Sequence, residues 1–148
     1  MNKKKYFCFI FFITFSMSSV SSDKECFAKK IQIMKPEYPA ADISGFNTIS
    51  FDIDRNGFLK NIRSLEGKCL LKNKTKEYEF RPCGIFKKYA IAAATSFRYS
   101  KPIKKNGESC VITNQTHRFT FIKDNSETTI STYKKALDAF DSVTNTKS

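Results

Sequence analysis

Apolar and polar residues alternate between residues 46 and 54, and this alternation predicts a half-buried β-strand. A tight turn is predicted at Asn56 and Gly57, because the pair Asn-Gly accepts the positive φ angles of a hairpin. Phe58–Leu65 is predicted as the returning strand, and a bulge would account for its irregular spacing of apolar residues. The lysine-rich segment Gly67–Pro82 is predicted as a loop.

A second alternating segment, Thr116–Ile122, predicts another strand with two distinct faces. One face carries His117, Phe119 and Phe121, and the other carries Arg118, Thr120 and Ile122. Shorter patterns nearer the N terminus predict a brief strand at Ile31–Met34 and a helical turn at Ala40–Ile43.

Helical periodicity occurs twice in the chain. In Ile85–Phe97, apolar residues recur at helical spacing, and a run of alanines favours the helix. Beyond the last predicted strand, four apolar residues at i, i+3, i+7 and i+10 predict an amphipathic helix: Ile130, Tyr133, Leu137 and Phe140. This second helix either packs back on the domain, where it could cover a free sheet edge, or binds a partner.

The first 22 residues have the organisation of a signal peptide. Lys3, Lys4 and Lys5 precede the apolar run Tyr6–Phe15, and several serines follow it. As a helix, this run would extend about 15 Å, whereas the hydrocarbon core of a bilayer is about 30 Å thick. A cleaved signal peptide is therefore favoured over an uncleaved inner-membrane anchor, and the mature protein is predicted to be periplasmic.

Export changes the interpretation of the cysteines, because disulfides form in oxidising compartments. Four cysteines follow the apolar run: Cys26, Cys69, Cys83 and Cys110. Among their alternative pairings, Cys69–Cys83 with Cys26–Cys110 is preferred. The first bridge would close a loop of about 15 residues, and its restriction of the unfolded chain would stabilise the folded state by roughly 3 kcal/mol. A metal site is disfavoured, because the chain has one histidine and no Cys-x-x-Cys.

The formal net charge of +12 favours acidic partners, anionic lipid or nucleic acid without choosing among them. Nucleic acid is disfavoured, because the lysines are scattered and no aromatic RNA-binding motif is present. Catalytic motifs such as Gly-x-Ser-x-Gly and phosphate-binding glycine loops are absent from the sequence. Asp52 and Asp54 could form a carboxylate pair, but polar positions beside a turn are the preferred interpretation. The chain is therefore predicted to be no enzyme and to need no cofactor.

Four motifs occur in a characteristic order. A Pro-x-Tyr-Pro opening at Pro36, Tyr38 and Pro39 is followed by the hairpin turn at Asn56 and Gly57. The alanine-rich helix then ends in an aromatic-Arg-Tyr exit before a proline, formed by Phe97, Arg98, Tyr99 and Pro102. The last motif is the turn at Asn106 and Gly107 with the strand that carries Arg118–Phe121. Over about residues 33–123, this order resembles the C-terminal domain of the TonB family.

The resemblance implies an α+β fold in which a small, antiparallel, three-stranded sheet has helices packed on one face. The implied domain covers residues 23–123, and residues 124–148 would be an extension that carries the second helix. The chain departs from the family in lacking a Pro-rich spacer and in having Phe97 at the position of its usual tryptophan.

The resemblance also implies a function. In the TonB family the last strand binds an extended segment of an outer-membrane transporter by strand addition, which links the protein to energy-dependent transport. The corresponding residues here are Gln115, Thr116, His117, Arg118, Phe119, Thr120, Phe121 and Ile122. Arg118 and nearby lysines could engage acidic flanks of that segment. The alternative is a soluble periplasmic peptide-binding or regulatory module, and pairing of two such edges would give a homodimer.

Overall fold

The computed structural model of the chain describes residues 25–145. The signal peptide predicted over residues 1–22 lies outside the described residues. The elements are β1 (Cys26–Phe27), β2 (Lys30–Gln32), β3 (Gly45–Ile53), β4 (Leu59–Lys72), β5 (Tyr78–Pro82), α1 (Lys87–Thr95), β6 (Arg98–Tyr99), β7 (Ile103–Lys104), β8 (Ile112–Phe121) and α2 (Glu127–Asn145). The described part of the chain is therefore mixed α/β, with two helices and antiparallel sheets.

The largest sheet has four antiparallel strands in the order β5-β4-β3-β8. The predicted hairpin joins β3 to β4, and the Gly57 N–H donates to the Asp54 carbonyl at 3.0 Å to close its turn. The predicted bulge is confirmed, because the register of the two strands shifts after Thr48 and again after Ser50.

The predicted loop over Gly67–Pro82 and the predicted three-stranded sheet are both wrong. β4 continues through this segment as far as Lys72, and β5 returns beside it as a fourth strand. The disulfide Cys69–Cys83 joins the two strands, with a Cα–Cα distance of 5.7 Å. The lysines that favoured a loop lie at partly or fully exposed positions of this strand pair, where their charged ends reach water.

One face of the sheet, which carries Ile49, is covered by α1. Phe86 lies immediately before this helix and is fully buried, and its ring stacks on Phe121 of β8 with the centroids 4.4 Å apart. Gly45 permits this packing, because a Cβ atom there would collide with the Phe86 ring. The helix predicted at Ile85–Phe97 is confirmed, with α1 forming its central part.

The implied helices packed on one face correspond to α1 alone, and the opposite face is covered by α2, the helix of the predicted C-terminal extension. Tyr133 of α2 is buried, and its hydroxyl donates a hydrogen bond to the Gly45 carbonyl at 3.2 Å. Phe46 of β3 packs edge-on against Phe80 and Phe140, with ring centroids 5.1 and 5.5 Å away. The apolar stripe of the predicted amphipathic helix therefore packs back on the domain, over a sheet face.

The N-terminal segment forms a narrow antiparallel ribbon with the chain that follows α1. β1 pairs with β7, and β2 pairs with β6. The disulfide Cys26–Cys110 fastens the start of this ribbon, with a Cα–Cα distance of 6.2 Å. Both preferred disulfide pairings are thus confirmed.

The two short predictions near the N terminus have different outcomes. The strand predicted at Ile31–Met34 is confirmed in part, because it overlaps β2. The helical turn predicted at Ala40–Ile43 is wrong, because the chain forms only bends there. The Tyr38 hydroxyl donates to the Ile43 carbonyl across these bends, which stabilises an irregular connection into β3.

Gly57 and Gly107 offer a matched test of one close contact. Both have positive φ, 85° and 84°, but a Cβ at Gly57 would collide with the Tyr99 carbonyl, whereas nothing lies within 4 Å of one at Gly107. We expect Gly107→Ala to lower the free energy of unfolding by about 1 kcal/mol, the cost of a left-handed backbone. Gly57→Ala should lower it by at least about 3 kcal/mol. Urea unfolding measures both values, and equal losses would contradict the close contact.

Candidate functional site

β8 is the last strand of the four-stranded sheet, and no strand among residues 25–145 pairs with its second edge. The strand predicted at Thr116–Ile122 begins earlier than expected, at Ile112, and ends at Phe121. Ile122 lies just beyond the strand and packs with the apolar cluster around Tyr133. The remaining predicted edge residues lie on β8.

The hydrogen-bond ladder indicates which backbone groups of β8 point outward. The Leu70 N–H donates to the Ser44 carbonyl just before β3, so the even-numbered residues of β3 direct their backbone groups toward β4. The odd-numbered residues of β3 therefore bond to the odd-numbered residues that stand opposite them on β8. By this alternation, the N–H and C=O groups of Thr116, Arg118 and Thr120 point away from the sheet.

The odd-numbered side chains of β8 anchor the strand in the core beneath α1. Phe121 stacks on Phe86, and the Phe119 ring lies 5.5 Å from that of Phe97. His117 stands edge-on to Phe97 and Phe119, with centroid distances of 5.3 and 4.6 Å. His117 is therefore a packed strand residue, as predicted, and the outward edge belongs to a strand that aromatic contacts hold in place.

Arg118 is engaged within the fold. Its guanidinium lies over the Phe46 ring, 4.6 Å from the centroid. Its Nη1 atom donates to both carboxylate oxygens of Asp141, at 3.1 and 3.2 Å. This ion pair connects β8 to the last part of α2, so Arg118 would have to leave Asp141 to engage an acidic flank of a bound peptide.

Asp52 and Asp54 support the hairpin. Asp52 accepts hydrogen bonds from the Asn61 amide at 2.6 Å and from the Asn114 N–H at 2.9 Å. These bonds, the one from Asn61 foremost, lower the pKa of the Asp52 carboxyl below its usual value. Asp54 accepts from two backbone N–H groups of the turn, both at 2.9 Å. Both carboxylates therefore have structural partners, which favours polar turn positions over a catalytic pair.

Of the TonB-like motifs, the last includes Arg118–Phe121 of β8, and the residues of the other three lie outside that strand. At the hairpin end, the Tyr99 N–H donates to the Gly57 carbonyl at 3.0 Å. At the opposite end, the Tyr38 ring lies 6.5 Å from Phe121, measured between centroids. Asn56 is exposed in the turn, and the other motif residues differ in burial. Pro39, Phe97 and Pro102 are buried, and Arg98 and Pro36 are half-buried.

Sequence reasoning missed three parts of the sheet: the continuation of β4 beyond Leu65 to Lys72, the whole of β5, and the start of β8. The first four residues of β8, Ile112–Gln115, contain one apolar residue and so show no alternation. In β5, Tyr78 and Phe80 alternate with Glu79 and Arg81, a strand signal that the surrounding lysines obscure. The β5 signal could have been found from this alternation, whereas the start of β8 could not.

Within residues 25–145, no helix is long and apolar enough to cross a membrane, and no three His, Cys, Asp or Glu residues form a group that could hold a metal ion. No protein-family model matches the chain, and the comparison with curated proteins gave no match. The geometry of the β8 edge is therefore the main evidence for a function.

His117 should make stability depend on pH. Burial, and to a smaller extent the positive charge of Lys30, lower the pKa of His117 below its usual value. In the unfolded chain the imidazole takes up a proton near pH 6.5, so the unfolded state binds more protons between that pH and the lower pKa of the folded state. Neutral His117 therefore makes its full contribution to the free energy of unfolding above about pH 6.5. This contribution is lost as the pH falls from about 6.5 through the lower pKa of the folded state.

Urea unfolding at pH 7.5 and pH 5.5 tests this prediction in the wild type and in His117→Gln. We expect acidification to lower the free energy of unfolding less in the variant, whatever the variant costs at pH 7.5. The chain has one histidine, so no second imidazole complicates the comparison. The same pH dependence in both proteins would contradict the assignment.

Proposed function

We propose that this chain is an exported, TonB-like binding protein that captures an extended segment of an outer-membrane transporter by strand addition to β8. The observation that carries the proposal is a ten-residue edge strand with outward N–H and C=O groups at Thr116, Arg118 and Thr120. In this mode, backbone hydrogen bonds supply affinity, and the side chains that flank the edge supply selectivity. The proposal involves no cofactor and no catalytic step.

The two edges of the sheet differ in how well they resist pairing. Natural proteins protect edge strands by short length, charged residues, proline or a covering element. β5 has all four, because it has five residues, includes Glu79 and Arg81, ends at Pro82 and contacts α2. β8 is twice as long and contains neither lysine nor proline. This contrast supports β8 as the edge that accepts a partner.

The anchoring of β8 supports the same role. Phe119 and Phe121 are buried beneath α1, so a peptide would add to a strand whose conformation is already held. Preorganisation of this kind lowers the entropic cost of binding. Thr116 and Thr120 are exposed and would lie beside alternate side chains of the peptide. A peptide that covers the three outward residues needs about five to seven residues in extended form.

The location of the protein belongs to the same proposal. The disulfides fit a protein outside the cytoplasm, and the predicted signal peptide makes the periplasm the proposed compartment. Cleavage would leave a free binding or regulatory module, whereas retention of the N-terminal segment would leave an inner-membrane protein suited to a transducing role. A copy of the same chain could also pair at the β8 edge.

The intact mass of the protein from its native envelope distinguishes these two forms. We expect a mass that corresponds to a start near Ser22 or Asp23, with four thiols that react with an alkylating reagent only after reduction. Such a result supports a free periplasmic module with two disulfides. A mass that retains Met1–Val20 in the membrane fraction would contradict cleavage and would favour the anchored form.

Proline at Thr116 tests strand addition at the β8 edge. The Thr116 N–H points outward, so Thr116→Pro removes a donor for the incoming strand and spares the bonds to β3. We expect at least about tenfold weaker binding, because a bond is lost and the ring obstructs the approach of a peptide. Thr116→Ala retains the N–H and should bind within about threefold of the wild type.

The probes are fluorescent ten-residue peptides that tile the extended periplasmic segments of outer-membrane transporters, and fluorescence anisotropy measures their affinity. Amide exchange by NMR should show new protection at Thr116, Arg118 and Thr120 in the complex. Thr120→Pro provides a second variant if Thr116→Pro unfolds. Equal binding by the proline and alanine variants, or protection at another surface, would show that β8 is not the binding edge.

A further inference from the structure

The N-terminal ribbon forms a surface that the proposed peptide edge does not use. Residues 26–32 run antiparallel to residues 98–104, with Phe27 opposite Ile103 and Gln32 opposite Arg98. The Ser100 N–H donates to the Lys29 carbonyl at 2.8 Å between these pairs. The ribbon is therefore continuous across both short sheets.

The ribbon concentrates positive charge. Residues 26–35 contribute Lys29, Lys30 and Lys35, and residues 98–105 contribute Arg98, Lys101, Lys104 and Lys105. These two segments thus carry seven basic residues, three and four respectively, and no Asp or Glu. Lys104 forms an ion pair with Glu108, with 3.6 Å between Nζ and a carboxylate oxygen, and the other six basic residues leave the ribbon with a net positive charge that favours anionic partners.

Large apolar side chains are exposed among these charges. Phe27 and Ile103, which stand opposite each other, are 54% and 50% exposed, and Ile31 on β2 is 69% exposed. Phe58, 45% exposed, lies beside the ribbon with the Arg98 guanidinium 4.8 Å from its ring centroid. Exposed apolar groups gathered on one surface mark an interaction site more often than isolated ones do.

We propose that this ribbon surface docks on an anionic lipid bilayer. Apolar side chains enter the boundary between headgroups and acyl chains, while lysines extend to the lipid phosphates along their own aliphatic stems. Nucleic acid fits less well, because Ile31 and Ile103 have no aromatic face on which a base could stack. The predicted apolar run Tyr6–Phe15 also precedes the ribbon by about ten residues, which would keep this surface near a membrane if the run is retained.

A single tryptophan reports docking at the ribbon directly. The chain contains no tryptophan, so Phe27→Trp in the full chain gives one local signal, and Ile103→Trp is a second probe at the facing position. Tyr78→Trp is the matched control, because Tyr78 is 45% exposed, close to the value for Phe27. It lies where β5 begins, at the end of the sheet opposite the turn between β3 and β4. Each protein is titrated with two kinds of vesicle, one of phosphatidylcholine alone and one that also contains phosphatidylglycerol. The phosphatidylcholine in both has brominated acyl chains.

We expect the bromines to quench the fluorescence of Phe27→Trp with phosphatidylglycerol present and much less without it, while Tyr78→Trp stays unquenched. Adding Lys101→Gln and Lys105→Gln to Phe27→Trp should weaken its titration about 25-fold, or about fivefold for each lysine near the surface. Adding Lys134→Gln and Lys135→Gln instead removes the same charge from exposed positions of α2 and should change the titration by less than about threefold.

Three results would overturn the proposal. The first is vesicle-bound Phe27→Trp protein with unquenched fluorescence, which would mean that another segment holds the chain on the vesicle. The second is equal quenching in neutral and anionic vesicles, with no effect of the ribbon lysines. The third is quenching of the same variant by a single-stranded oligonucleotide with no response to lipid. None of these measurements involves the β8 edge. The lipid-docking proposal can therefore fail while the peptide-binding proposal stands, and the reverse.

Discussion

The whole domain depends on the burial of β3 on both of its faces. Ile49, Phe51 and Ile53 point toward α1, while Phe46 points toward α2, and all four are almost fully buried. A strand with two buried faces needs a covering layer on each side, because apolar surface left in water costs about 25 cal/mol per Å². α2 is therefore an integral layer of the fold, and Tyr133 links it to β3 by a hydrogen bond to the Gly45 carbonyl.

Local sequence patterns were sufficient to predict the elements that depend on residues close together in the chain. Alternation predicted β3 and most of β8, the Asn-Gly pair predicted the hairpin, and helical spacing predicted both helices. Long-range placement was not predictable in the same way. The apolar stripe of α2 would look the same in the sequence whichever surface the helix covered. The spacing of Phe140 therefore could not predict that it packs on the sheet face that carries Phe46. The lysines near β5 likewise obscured the alternation that Tyr78 and Phe80 display.

The candidate site was predictable in position and less so in detail. The residues expected on an edge strand do lie on β8, apart from Ile122. The contacts that their exposed side chains make depend on elements distant in sequence. Arg118 contacts Asp141, 23 residues further along the chain, and no local pattern specifies that pair. The basic and apolar character of the ribbon was equally hidden, because residues 26–35 and 98–105 are adjacent only in the folded chain.

The disulfide between Cys26 and Cys110 has a mechanical consequence. It closes a covalent loop across a sequence separation of 84 residues, so tension on the N-terminal chain cannot extend the residues inside that loop. The load passes instead from Cys26 to Cys110, two residues before the start of β8 at Ile112. Tension on the N-terminal chain would therefore reach β8 at the end where it begins, without first extending the segment from Cys26 to Cys110, which contains α1 and the seven strands before β8.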